Sequence, residues 1–119
     1  MQDFRNLDVW RKAHQLALNV YSVTSRMPKE ETYGLTSQMR RAAVSVPTNI
    51  AEGCGRNSDP DFARFLSIAL GSVNELEYLL LLAVDLGILD EDHVEAASRE
   101  AVEIGRMLNA LTKRLRAKG

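Results

Sequence analysis

The sequence has a single cysteine, Cys54, so no intramolecular disulfide can form. This excludes a small secreted scaffold held by disulfides and makes a reducing compartment the expected setting. Glycine and proline are scarce, seven and three in 119 residues, which disfavours a turn-rich all-β fold. Long apolar runs are missing too. The longest, Leu79 to Val84, has six residues, against roughly 20 needed to span a bilayer. The opening MQDFRNLDVWRKAH is charged and has no apolar stretch, so no signal peptide is expected and the predicted location is cytoplasmic. An excess of charge is also lacking. Fifteen basic residues face sixteen acidic ones, for a net charge of −1, and this weakens a default assignment to nucleic-acid binding, which usually accompanies a basic domain.

What remains is an ordinary globular composition, 45% hydrophobic and 26% charged, long enough for one domain over residues 1–119. Its apolar residues recur at helical spacing. The pattern predicts an all-α fold, an antiparallel up-down-up-down four-helix bundle with helices over about 7–27, 35–55, 59–87 and 91–117. In the first helix the apolar face reads Trp10, Ala13, Ala17, Val20 and Thr24, with Asn6 as the expected N-cap and Pro28 as the stop. The second carries Met39, Ala42, Ala43, Val46, Ile50 and Cys54 in one phase across Pro47. A kinked single helix is therefore expected, with the Ala43 carbonyl deprived of its backbone donor. Ser58, Pro60 and Asp61 form a start signal for the third helix, and Gly87 is its expected C′ residue. The fourth helix has Val94, Ala97, Ala101, Ile104, Leu108, Leu111 and Leu115 at alternating steps of 3 and 4, a narrow seam of bundle type.

The neutral total hides segregation along the chain. Residues 1–56 carry +3, residues 57–105 carry −9 and residues 106–119 carry +5. Basic side chains that would hold a nucleic acid are Arg11 and Lys12 beside Trp10, Arg40 and Arg41 early in the second helix, and Lys113, Arg114 and Arg116 near the end.

Few constellations suggest chemistry. A polar stripe of Arg41, Ser45, Asn49 and Glu52 runs beside the apolar face of the second helix. It reads either as hydrogen bonding around Pro47 and between helices or as a ligand site with Glu52 as acid/base and Asn49 as its orienter. With no nucleophile or histidine beside it, the structural reading is preferred. A di-metal bundle needs several inward Glu and Glu-x-x-His motifs. Here the only look-alike is Asp90-x-x-His93 at a helix start, and neither a metal nor another cofactor is expected. Cys54 lies near the C-terminal end of its helix, where the dipole disfavours a thiolate, and reads as a small buried hydrophobe. Gly53-Cys54-Gly55 lacks the lysine and the preceding strand of a phosphate loop. Trp10 and Tyr21 fall on one face of the first helix and suit core or interface packing. The run Leu79 to Leu82 surrounds the third helix with apolar side chains, so Leu79, Leu81 and Leu82 are candidate contacts between copies.

Several strings carry a resemblance over most of the chain. They are F-R-N-L-D-V-W-R-K-A-H (Phe4 to His14), Y-G-L-T-S-Q (Tyr33 to Gln38), Arg40-Arg41-Ala42-Ala43, V-S-V-P-T-N-I-A-E-G (Val44 to Gly53) and F-L-S-I-A-L-G-S-V-N-E-L-E (Phe65 to Glu77). The chain resembles the four-helix-bundle proteins encoded in intervening sequences of bacterial 23S rRNA genes, relatives of the accessory variability determinant of diversity-generating retroelements. The resemblance implies an antiparallel bundle assembled into a ring-like homopentamer with a central channel. It implies no enzymatic activity. Through the retroelement relative it also implies a reverse transcriptase and nucleic acid as partners, bound through a basic surface.

Overall fold

The computed structural model describes residues 3–118, with the side chain of Lys118 outside the described part. Four long helices, α1 (Asp8–Thr24), α2 (Leu35–Cys54), α3 (Asp59–Asp85) and α4 (Glu91–Lys118), account for most of it, and there is no strand among the described residues. Two 3-10 turns, Phe4–Asn6 and Lys29–Glu31, precede α1 and α2.

The helix ends follow local chemistry, with some departures from expectation. Asn6 belongs to the 3-10 turn, and Leu7 takes the N-cap position of α1 without a side-chain cap. α1 ends at Thr24 and not at Met27. Its last carbonyls are taken by backbone amides that tighten the turn, Arg26 donating to Val23 (3.1 Å) and Met27 to Thr24 (3.0 Å), and by Ser25 Oγ donating to Ser22 (2.6 Å), before Pro28 bars continuation. At the start of α3, Ser58 Oγ accepts from the Asp61 amide at 3.2 Å. The Asp61 carboxylate does not reach back to complete a capping box. It turns instead to Arg64 (3.0 Å) and Arg56 (3.8 Å). The end of α3 is a Schellman turn. Gly87 sits at φ 76°, its amide donates to Val84 (2.9 Å), and the Ile88 amide donates to Ala83 (3.0 Å). His93 has a structural part: its Nδ1 accepts from the Asp90 amide (3.3 Å) at the start of α4.

Burial follows the predicted stripes and widens them, although Leu111 of the α4 seam is only half-buried. Val9 and Leu16 join Ala13, Ala17, Val20 and Thr24 inside, whereas Trp10 is only half-buried. The six predicted residues of α2 are all buried, as is Pro47, and the helix runs unbroken through the proline. Around Pro47 the side-chain donors serve other carbonyls than the expected Ala43. Thr48 Oγ1 donates to Val44 (2.7 Å), and the Asn49 amide donates to Ser45 (2.8 Å). α3 alone has the length and apolarity to cross a membrane among the described residues. It packs its buried stripe of Phe62, Leu66, Val73, Leu76 and Leu80 into the bundle core.

Packing is cyclic: α1 neighbours α2, α2 neighbours α3, α3 neighbours α4, and α4 returns to α1, while the α1 and α3 backbones face each other only across the shared core. The result is a rod of 46 × 21 × 20 Å. At the α2–α3 corner, Gly53 lies against the ring of Phe62 and the Cβ of Phe65, and Arg56 and Arg64 lie over the Phe65 ring at 4.6 and 4.5 Å from its centroid.

Candidate functional site

An apolar concavity lies on the α1–α2 face, where small side chains let the two helices leave a groove. On the α1 side it is lined by Trp10, His14, Leu18 and Tyr21, and on the α2 side by Val44, Pro47 and Ala51. It encloses about 630 Å³. The aromatic wall is ordered by its own stacking. Phe4 meets Trp10 edge-on at 4.7 Å, and Trp10 stacks on His14 at 5.1 Å. The expectation that Trp10 and Tyr21 share a face is met here, since both line the groove. Toward the α2 N-terminus it continues into a more polar hollow of about 670 Å³, where Tyr33, Arg40, Arg41, Ser45 and Asn49 are exposed or half-exposed.

The predicted basic residues separate into two groups. Arg11 pairs with Asp8 and donates to the Arg5 carbonyl at 2.8 Å. Lys12 reaches across to Glu103 on α4 at 2.9 Å, and this carboxylate holds the ammonium's pKa above its ordinary value. Arg40 lies over the Tyr21 ring at 4.4 Å, and its Nε donates to Thr24 Oγ1 at 2.7 Å. That places a cation at the C-terminal end of α1, where the helix dipole favours one. These three side chains are already engaged in holding α1 to its neighbours or to its own turn. Arg41, Lys113, Arg114 and Arg116 are exposed and form no ion pair among the described residues. Arg114 stands beside Leu7 and Asp8 at the start of α1.

The polar stripe of α2 is brought together only in part. Asn49 Nδ2 donates to Ser45 Oγ (3.0 Å), and Ser45 bonds Ser72 of α3 through their hydroxyls (2.7 Å). Glu52 turns toward Arg56 (3.9 Å), and Arg41 lines the same hollow as Ser45 and Asn49 without a hydrogen bond to either. Asn49 therefore orients a serine and not Glu52, so the geometry favours the structural reading of the stripe. Ser72 was missed by sequence reading, which had no signal linking a lone serine on α3 to α2.

Two further candidates resolve from their surroundings. Cys54 is buried, and burial pushes its thiol pKa up, with the nearby Asp3 charge adding to the effect. A raised pKa means less thiolate at neutral pH. In the native protein, Cys54 is expected to react with a thiol alkylating reagent at least tenfold more slowly than in the urea-unfolded chain, as timed by mass spectrometry; equal rates would contradict this. The leucine run requires a correction. Leu79 is only 4% exposed and belongs to the core, so it is not a contact between copies of a folded chain. Leu82 is half-buried against that core, and only Leu81, 57% exposed, stands free in the run. The bundle covers more of the α3 circumference than a single apolar stripe would need, because both α2 and α4 pack on it.

Comparison with known proteins places this geometry. A sequence model described as 23S rRNA-intervening sequence protein matches residues 5–110. Among solved structures, a protein of unknown function from the S23 ribosomal protein family of Bacteroides thetaiotaomicron superposes with a TM-score of 0.82 at 26% identity. The match covers 88% of this chain and 98% of that one. No curated protein matches.

Proposed function

The chain belongs to the 23S rRNA-intervening sequence protein family, and on that premise we propose that it is a non-enzymatic helical scaffold or accessory protein that works as a homo-oligomer. The observation that carries this reading is the exposed apolar surface. Leu18, Tyr21 and Val44 stand open along the α1–α2 groove, and Ile68, Tyr78 and Leu81 stand open on α3. Apolar patches of this kind mark association surfaces. The bundle is antiparallel in this reading. Ser45 meets Ser72, while Gly53, two turns further along α2, meets Phe62 and Phe65, two turns back along α3. Pro47, seated in α2 without a donor for Ala43, is the point where that helix bends. Five copies in a closed ring, as the family resemblance implies, are the assembly proposed, and its proposed location is the cytoplasm.

Assembly couples to stability. A partner that binds only the folded chain stabilises it by mass action. The apparent Tm is therefore expected to rise with protein concentration, followed by circular dichroism over a hundredfold range. A concentration-independent Tm would count against the reading.

The second reading is a nucleic-acid-binding accessory subunit of a reverse transcriptase or of an rRNA-associated complex. It is favoured by the exposed cations Arg41, Lys113, Arg114 and Arg116, which have no ion-pair partner among the described residues, the last three clustered near the C-terminal end of α4. It is disfavoured by the engagement of Arg11, Lys12 and Arg40 within the chain. Counterion release separates the two readings, since RNA held by these cations must dissociate steeply as salt rises.

A further inference from the structure

We draw no further inference here: the strongest candidate, the apolar groove between α1 and α2 with the polar hollow that continues it toward the start of α2, is an unpartnered face and nothing in the structure shows what covers it, since Arg41 already shares a depression with Glu75 and the Glu31 carboxylate already accepts from the Leu35 amide at the α2 N-terminus.

Discussion

Replacing Leu66 with alanine is expected to destabilise the bundle by about 2–5 kcal/mol, the range for buried leucine truncations that leave a partly relaxed cavity. Leu66 is fully buried in α3, inside the continuous core cluster to which all four helices contribute. Small domains hold only about 5–15 kcal/mol in total, so the loss is a large share of the whole. It should lower the Tm on the order of 10 °C and reduce the urea midpoint with little change in slope. Leu81→Ala, on the outer side of the same helix, supplies the contrast. Exposed substitutions stay within about 0.5 kcal/mol, so at concentrations low enough to disfavour association its urea curve should overlie that of wild type. Equal losses for the two variants would mean that the phase of α3 has been misassigned.

The second large effect is expected at Gly53. A Cβ there would stand 2.7 Å from Cδ1 of Phe62 and 3.0 Å from Cβ of Phe65. Neither atom can swing aside, because one belongs to a buried ring and the other is fixed to the α3 backbone. Helix propensity works the other way, alanine being preferred over glycine by about 1 kcal/mol in a helix interior and by less in a last turn such as this. Overpacking typically costs about 1–3 kcal/mol and wins. Gly53→Ala is expected to lose about 1–2 kcal/mol net, and Gly53→Val more, by urea denaturation. A stabilised Gly53→Ala would contradict the close approach of α2 and α3 at this corner.

The parts of this structure that could be read in the sequence are those fixed by neighbours a few residues away. Ser58 with Pro60 starts α3, Gly87 ends it through a positive φ, and the alternating steps from Val94 to Leu115 mark the buried seam of α4. Leu79 was misjudged because an unbroken leucine run contains no polar residue to mark the solvent side. Only the placement of α2 and α4 on two flanks of α3 fixes which leucines are covered. The engaged cations were equally illegible. Lys12 is answered by Glu103 and Arg40 by Thr24 and Tyr21, partners on other helices that no local pattern indicates. The groove was half legible: the spacing of Trp10 and Tyr21 gave one wall, and the small residues opposite, Pro47 and Ala51, carried no signal of their own.

The charge pattern suits a long polyanion poorly, because three of the seven candidate cations already have partners within the chain.

The central claim is that these exposed apolar faces join copies of the chain, and the mass in solution tests it most directly. Light scattering behind size exclusion, at moderate salt and over a range of loading concentrations, is expected to give about five times the 13.3 kDa chain mass. A mass of one chain at every concentration would contradict it.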